Sequence, residues 1–452
     1  MQSSHTLDHL IGMQANKLKP VTIIGAGLAG SEAAWQLLKR GHSVRLCEMK
    51  PEKFSPAHKS PLFAELVCSN SLRSNDPESA VGLLKEEMRF LGSLTMEAAD
   101  RTSVPAGKAL AVDRELFSGY IGERLESFKT LEVVRHEISE IPEDGPVIIA
   151  SGPLTSEALS RSIARITGSD YLYFYDAISP IVDAATINHE KVFRASRYGH
   201  GEADYLNCPF TEDEYNRFLD GLRNAELVPV REFEDFRVFE GCLPVEVLAG
   251  RGPMTLLFGP MKPVGLADPR TGIKPFAVVQ LRQENRESTL FNIVGFQTRL
   301  TWPEQKRVFR MIPGLEQAEF LRFGSMHRNT FINSPLLLNE RLQMKSRPDM
   351  TFAGQISGVE GYVESAAMGI LAGIFVSEAL RGNTVAPPPK STALGALIHH
   401  IVESEPGNFQ PMNVNFGLFE PLPGRVRRRD RGPAYARRAI EAVKKWRDEL
   451  VI

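Results

Sequence analysis

The first ordered pattern in the chain is a short apolar run that ends at a glycine. Residues Pro20–Ile24 form this run, which is typical of a buried parallel strand, and Gly25 follows it. Small and apolar residues then recur at helical spacing over Ser31–Arg40, and Gly41 ends the predicted helix. A second strand is predicted over Ser43–Glu48. Strand, glycine turn, helix and strand fit within about thirty residues, as in a βαβ unit.

The pattern of residues changes in the middle of the chain. From about Val192 to Asn333, aromatic residues, prolines and alternating patterns predict an inserted domain richer in β structure. Other segments are predicted as follows: a polar loop over Lys50–Asn75, a helix over Pro77–Leu91, strands over Val133–Ile141, Pro146–Ala150, Phe276–Leu281 and Phe291–Phe296, and a proline-rich connection over Ala386–Lys390.

A second glycine-rich block appears late in the chain. It runs over Thr351–Gly361 and leads into a predicted helix of small residues, Tyr362–Leu380. This helix is apolar, but it carries Glu364 and Glu378, so we expect it to be buried in the protein rather than to span a membrane.

The first glycine turn has the context of a dinucleotide-binding site. Gly25 is expected to make the tight turn, Gly27 to let the backbone approach a pyrophosphate, and Gly30 to let helix and sheet pack closely. The helix N-terminus offers free N–H groups to phosphates. Glu48, at the end of the next strand, is placed to accept hydrogen bonds from ribose hydroxyls.

The second glycine block favours FAD over NAD, because a plain NAD dehydrogenase has no need of a late return to the cofactor. The expected FAD-binding residues are Gly25, Ala26, Gly27, Leu28, Ala29, Gly30, Glu48, Gly354, Gln355, Gly358 and Gly361. The predicted fold class is α/β, a Rossmann-like two-dinucleotide-binding FAD domain with an inserted α+β domain. The predicted division is 18–190 and 339–452 for the FAD domain and 191–338 for the insertion, in line with a length of 452 residues.

Charge and cysteine content narrow the possible functions. The formal net charge is only −2, but residues 424–447 are strongly basic, which is typical either of a phosphate-binding surface or of a solvated amphipathic helix. The four cysteines include no Cys-x₂₋₄-Cys pair, which argues against a zinc site and against a flavin disulfide reductase. The first nineteen residues lack the apolar stretch of a signal peptide, so we expect a cytoplasmic protein with free thiols.

Four strings in the chain are distinctive: Glu65–Ser74, Phe239–Glu246, Met326–Pro335 and Gly354–Tyr362. They closely resemble one family, the folate/FAD-dependent tRNA (uracil-5-)-methyltransferases (TrmFO), relatives of the GidA flavoproteins. The resemblance covers nearly the whole chain, from Val21 to about Phe419.

The resemblance implies that 5-methyluridine is formed at position 54, in the T loop of tRNA. It further implies that 5,10-methylenetetrahydrofolate supplies the carbon, that reduced FAD converts methylene to methyl, and that NAD(P)H restores the reduced flavin. It implicates Cys68 and Cys242, because C5 of uracil is a poor nucleophile until a group such as a thiolate adds at C6.

We expect Cys242 to attack C6 and Cys68 to serve the flavin–methylene side or a covalent intermediate, and the reverse assignment is also open. Cys47 and Cys208 are expected to be buried and inert. Glu246 and Glu360 are candidates, by location only, for the base that removes the C5 proton. Candidate substrate contacts are Arg73, His327, Arg328 and Asn329.

Three alternatives remain at this point. The same chemistry could act on ribosomal RNA, or the chain could be a flavoprotein that modifies the wobble uridine of tRNA. The wobble enzyme would be expected to lack the paired cysteine motifs and to have a longer helical C-terminal region. The remote alternative is a non-catalytic FAD-binding RNA scaffold, against which the two loop cysteines argue.

Overall fold

The computed structural model describes residues 19–168, 172–199, 203–229, 243–424 and 426–450. Its strands are β1 (Val21–Ile24), β2 (Val44–Cys47), β3 (Ser71–Ser74), β4 (Ser103–Val104), β5 (Ala109–Val112), β6 (Leu131–Val134), β7 (Val147–Ile149), β8 (Leu172–Ala177), β9 (Ile181–Asp183), β10 (Phe193–Arg194), β11 (Tyr205–Phe210), β12 (Ala277–Gln283), β13 (Leu290–Ile293), β14 (Phe320–Arg322), β15 (Met326–Phe331), β16 (Gln343–Met344) and β17 (Arg347–Phe352). Its α-helices are α1 (Leu28–Lys39), α2 (Ala80–Phe90), α3 (Leu94–Arg101), α4 (Arg114–Glu126), α5 (Glu157–Thr167), α6 (Glu212–Arg223), α7 (Val245–Gly250), α8 (Thr255–Phe258), α9 (Trp302–Phe309), α10 (Ser334–Leu337), α11 (Tyr362–Leu380), α12 (Ala393–Glu403) and α13 (Arg431–Glu449).

One six-stranded sheet carries both glycine-rich blocks. Its strand order is β16-β17-β7-β1-β2-β6, and every neighbouring pair is parallel except β16 with β17. The predicted βαβ unit is confirmed as β1, α1 and β2. The helix begins at Leu28, three residues earlier than predicted, because it follows Gly27 directly. The second block enters the same sheet through β17, beside β7.

Helix α11 crosses α1 at close range and holds the two blocks together. A methyl group on Gly369 would lie 2.2 Å from the carbonyl oxygen of Ala29, and one on Gly373 would lie 2.9 Å from that of Ala33. Although α11 is the one described helix long and apolar enough to cross a membrane, it is packed inside the protein, with 16 of its 19 residues buried. This agrees with the predicted buried helix.

A second sheet, antiparallel throughout, forms a separate body with its own hydrophobic core. Its order is β10-β11-β12-β13-β9-β14, and its core includes Phe210, Phe218 and Phe296. The two-stranded ladder of β8 with β15 stands beside it. Because β9 belongs to this sheet, the sheet begins upstream of residue 191, where the sequence placed the insertion boundary.

Several elements differ from their predicted bounds. Strand β6 ends at Val134, and the remainder of the predicted Val133–Ile141 strand is irregular. Strand β13 ends at Ile293, since Gly295 adopts a positive φ of 77° there. The predicted polar loop contains strand β3, and helices α3, α4 and α12 were not predicted.

Candidate functional site

The three glycines of the first turn have different surroundings. A methyl group on Gly25, whose φ is 101°, would lie 2.5 Å from the carbonyl oxygen of Ala150, and one on Gly30 would lie 1.8 Å from that of Gly25. At Gly27, by contrast, a methyl group would meet no atom within 4 Å. Two of the glycines are therefore required by packing, whereas Gly27 borders open space at the start of α1.

The end of β2 and the start of α1 meet at a buried carboxylate. Glu48 accepts hydrogen bonds from the backbone N–H groups of Ala26 and Lys50, each at 3.1 Å. The N-cap of helix α1 is Gly27, and no side chain accepts a hydrogen bond from the first N–H groups of this helix. A ligand with hydroxyl groups and phosphates matches the acceptors and donors at this position.

The second glycine block contributes unequally to the same region. Gly354 (φ 82°) and Gln355 line the cleft beside Gly25 and Gly27. Gly358 and Gly361 are not among its lining residues. A methyl group on Gly358 would lie 2.2 Å from the ring of Phe409, and Gly361 (φ 106°) is the N-cap of α11. These two glycines serve packing and the helix start.

One cleft joins all of these features to Cys68. It is lined by residues from the first turn, from the end of β2 and the Glu48 that follows it, from Ser151–Ser156, from the second block and from the Cys68 loop. Tyr362 and Ser365 of α11 and Asn329 of β15 complete its wall. The cleft is thus continuous from the predicted ribose-binding carboxylate to the predicted catalytic thiol.

The thiol of Cys68 lies against the first residue of α11. Its sulfur is 2.9 Å from the phenol oxygen of Tyr362, and that oxygen also accepts the backbone N–H groups of Cys68 at 2.7 Å and Ser69 at 3.3 Å. Burial raises the pKa of the Tyr362 phenol well above its usual value, with the neighbouring Cys68 adding to the effect. The phenol therefore keeps its proton, and because its oxygen already accepts two N–H groups, that proton is available to the sulfur.

Arginine side chains surround the Cys68 loop. Arg114 donates to the carbonyl oxygens of Leu66 at 2.6 Å and Val67 at 3.1 Å, and it forms an ion pair of 2.7 Å with the buried Glu284. Arg322, on β14, is largely buried and lies near Arg114. Burial lowers the pKa of the Arg322 guanidinium, and the positive charge of Arg114 lowers it further. Arg114 and Arg322 thus bring positive charge next to the Cys68 loop.

Asn70 ties the Cys68 loop to strand β5 and to strand β12 of the second sheet. This fully buried side chain donates to the carbonyl oxygens of Val112 at 3.0 Å and Gln283 at 2.9 Å. It accepts Nε of Arg282 at 3.0 Å, while Nη2 of the same arginine donates to Ser69 Oγ at 2.7 Å. The position of Cys68 therefore depends on contacts between the two bodies.

The candidate substrate residues are dispersed. Asn329 is buried and lines the cleft. His327 and Arg328 belong to β15, but their side chains lie outside the described part of the chain. Arg73, which has a positive φ of 62°, is ion-paired with the buried Glu364 of α11 and is not among the residues that line the cleft.

Both candidate bases have structural partners. Glu246 accepts from Thr298 Oγ1 at 2.8 Å and from the N–H of Arg299 at 2.9 Å, and burial raises its pKa. Glu360 accepts from Gln355 Nε2 at 2.5 Å, which brings it next to a residue of the cleft wall.

The prediction that Cys47 and Cys208 are buried thiols is confirmed. Burial raises the pKa of Cys47 to about 11, and it raises that of Cys208 further. Cys242 lies outside the described residues. The sequence analysis did not identify Tyr362, Asn70 and Arg282 as parts of the Cys68 site, although Tyr362 and Asn70 occur in the quoted strings. Local sequence patterns do not predict these contacts, because the contacts join residues more than 200 positions apart in the chain.

Comparison with known proteins identifies the relatives of this chain. It is 62% identical to the methylenetetrahydrofolate--tRNA-(uracil-5-)-methyltransferase TrmFO of Syntrophus aciditrophicus over 435 residues, which cover 96% of this chain and 99% of the relative. It is also 62% identical to the TrmFO of Geobacter sulfurreducens, covering 94% and 98% of the two chains. The chain belongs to the TrmFO family.

Broader comparisons agree with this membership. The family model described as glucose inhibited division protein A matches residues 20–384. The TrmFO chain described here also resembles the crystal structure of Aquifex aeolicus GidA, with a TM-score of 0.66 at 15% identity, covering 96% of this chain and 76% of that one. At that identity the likeness shows the fold, which is of the FAD-binding Rossmann type.

Proposed function

We propose that this chain methylates C5 of the uridine at position 54 in the T loop of tRNA. The methyl carbon comes from 5,10-methylenetetrahydrofolate, and NAD(P)H reduces a bound FAD. The observation that carries the proposal is that the Cys68 thiol opens into the same cleft that both glycine blocks line. The names of relatives about 60% identical over nearly their full length support the same reaction.

The residues of the cleft fit FAD. The open space at Gly27 and the N-terminus of α1 suit a pyrophosphate, and Glu48 suits ribose hydroxyls, while Gly354 and Gln355 supply the second wall. This is the arrangement of a two-dinucleotide-binding FAD domain. When bound, reduced FAD supplies the electrons that turn a methylene into a methyl group.

The protein's own groups provide positioning and nucleophilic chemistry. In the proposal the Cys242 thiolate adds to C6 of uracil, which makes C5 nucleophilic, and it leaves again when the C5 proton has been lost. Cys68, held by Tyr362 and surrounded by arginines, serves the transfer of the folate carbon. If Cys242 attacks C6, a uracil analogue that traps the attacking thiol should alkylate Cys242. If the two roles are reversed, the same analogue should alkylate Cys68.

The second body is proposed as an inserted substrate domain. The topology favours a division near residues 178 and 325, at the two-stranded ladder of β8 and β15, because β9 already belongs to the second sheet. Expression of the predicted segment 191–338 would remove β9 from its place between β13 and β14, so we expect that segment to be less soluble than one that begins at residue 178.

One reconstituted assay tests the function. The purified protein is supplied with NADPH, labelled methylenetetrahydrofolate and an unmodified tRNA transcript, without S-adenosylmethionine. We expect labelled methyl at position 54, none in a transcript with cytidine at that position, and a large loss in C68A and C242A but not in the control C47A. Methylation of ribosomal RNA and not of tRNA would show that ribosomal RNA is the substrate. Modification of the wobble uridine would show that the chain is a wobble-modifying flavoprotein. Flavin binding without any methylation would show a non-catalytic RNA scaffold.

A further inference from the structure

We propose that the basic face of α13, together with the turn before it, binds the sugar–phosphate backbone of the substrate RNA. This basic face consists of Arg427, Arg429, Arg437, Lys444 and Lys445, all of them exposed. The inference rests on the proposed function, because it assigns the surface that receives the tRNA.

Charge is strongly segregated along the chain. Residues 424–450 contain ten of the 53 lysines and arginines but only four of the 55 aspartates and glutamates. This segment therefore carries a formal charge of +6, and the rest of the chain carries −8. A polyanion is attracted to the C-terminal segment and repelled, on average, by the remainder of the surface.

Helix α13 presents its cations on the side opposite its buried side. Ala439, Val443 and Trp446 are buried at helical spacing, and the helix packs against α2. At about 100° per residue, Arg437 and Lys445 point away from that buried stripe, whereas Lys444 is exposed but has its Nζ 4.8 Å from the centre of the Phe90 ring of α2. The fold uses one side of the helix for packing and leaves the basic side to solvent.

The exposed cations differ from those that hold the segment in place. Arg438 donates to the carbonyl oxygens of Pro421 at 2.9 Å and of Glu420, so its charge serves the fold. Within the described part of the chain, Arg427, Arg437 and Lys445 form no ion pair. Such cations can exchange their counterions for phosphates without breaking a contact within the protein.

The chain length between Cys68 and α2 limits how far the basic face can lie from the Cys68 loop. Ser79, the N-cap of α2, is eleven positions after Cys68, so the two residues lie at most about 40 Å apart. Next to Ser79, the α13 backbone touches the carbonyl of Glu78, since a methyl group on Gly432 would lie 2.4 Å from that oxygen. A groove here is lined by Ser79 and Glu78 on one side and by Arg429 and Arg431 on the other. An RNA stem can rest on the basic face while its loop enters the cleft.

A quadruple variant tests the surface. In R427Q/R429Q/R437Q/K445Q we expect tRNA affinity at physiological salt to fall at least about tenfold, and the slope of log affinity against log salt to fall by about 3. The matched control is R45Q/K129Q/R161Q/R165Q, which removes four exposed cations of the first body that do not line the cleft. It should bind tRNA like the wild type. Flavin reduction by NADPH should be unchanged in both.

A third variant separates charge from folding. R427K/R429K/R437K/K445R keeps every charge and should bind tRNA with nearly wild-type affinity and salt dependence. Equal losses in the glutamine and charge-conserving variants would overturn the inference, as would equal binding by the glutamine variant and its control. If the wild type methylates ribosomal RNA and not tRNA, the proposed function fails, and the same variants tested with that RNA still decide the surface.

Discussion

The phenol oxygen of Tyr362 lies 2.9 Å from the sulfur of Cys68 and also accepts the backbone N–H group of the same cysteine at 2.7 Å. One side chain at the start of α11 therefore fixes both the backbone and the thiol of a residue 294 positions earlier. Since α11 also packs on α1, the thiol, the first glycine turn and the second glycine block share one rigid support. This arrangement makes the geometry of the cleft sensitive to small changes in α11.

The first prediction concerns the Tyr362 hydroxyl. Tyr362→Phe leaves two N–H groups and the sulfur without their shared partner, at a cost of about 1–3 kcal/mol for an unsatisfied buried group. We expect methyl transfer to slow roughly 10- to 100-fold, because 1.4 kcal/mol corresponds to a factor of ten. Steady-state methylation and the rate of Cys68 alkylation as a function of pH measure the effect.

Two comparisons make this prediction specific. Tyr215→Phe removes another buried hydroxyl, which donates to the carbonyl oxygen of Pro253 at 2.6 Å in the inserted body, and it should leave the rate of methylation unchanged. Flavin content should be the same in both variants. An unaltered methylation rate and an unaltered alkylation profile in Tyr362→Phe would show that the contact has no role in the reaction.

The second prediction concerns the side chain of Asn70. Asn70→Ala removes the amide that donates to the carbonyls of Val112 and Gln283 and that accepts a hydrogen bond from Nε of Arg282. We expect the free energy of unfolding to fall by about 1–3 kcal/mol, and methylation to fall further than flavin occupancy does. Urea unfolding and the flavin absorbance ratio measure the two effects.

Asn224→Ala is the matched control, since its amide donates only to the Asp220 carbonyl on the surface of α6. Its stability and activity should remain close to those of the wild type. Equal losses of flavin and of methylation in Asn70→Ala would mean that the side chain supports the whole fold rather than the Cys68 loop.

Features of this fold that have local causes are predictable from the amino-acid sequence. The βαβ unit and the bounds of α11 were predicted correctly, because apolar spacing and glycine positions specify them within a short stretch. The Tyr362–Cys68 and Asn70–Gln283 contacts could not be predicted, since they depend on how distant elements pack. Helix α4 was missed although Asp113 caps it, because its apolar residues are too sparse for a clear helical period.

The third prediction separates two glycines of one turn. Gly27 has an ordinary φ of −71° and open space around it, so Gly27→Ala should fold normally but hinder a pyrophosphate. Gly30→Ala places a methyl group against the Gly25 carbonyl, so it should destabilise the fold by about 1–3 kcal/mol or prevent folding.

Thermal unfolding of flavin-free protein and flavin occupancy distinguish the two glycines. We expect Gly27→Ala to keep the melting temperature and lose flavin, and Gly30→Ala to lose both. Gly119→Ala, at a glycine with equally free space outside the cleft, should keep both. Full flavin occupancy in Gly27→Ala would refute the role proposed for that position.

The fourth prediction follows from a buried carboxyl away from the cleft. Glu87 accepts the N–H groups of Ala393 at 2.7 Å and Leu394 at 2.9 Å at the start of α12, and burial raises its pKa to about 8, against the opposing effect of those hydrogen bonds. Because the folded-state pKa exceeds the unfolded value, the stabilising contribution is complete below about pH 4.5 and is lost as pH rises to about 8. In that window the unfolded chain releases the proton and the folded chain retains it.

Glu87→Gln removes this titration and keeps an acceptor for the helix. We expect the stability difference, wild type minus Glu87→Gln, to fall by up to about 1.4 kcal/mol per pH unit between pH 5.5 and 7.5. Urea unfolding at three pH values measures it, with Glu86→Gln on the same helix as the control that should track the wild type. Parallel stability curves for wild type and Glu87→Gln would mean that Glu87 is already ionised in the folded protein, and that the two N–H groups of α12 are sufficient to hold its charge.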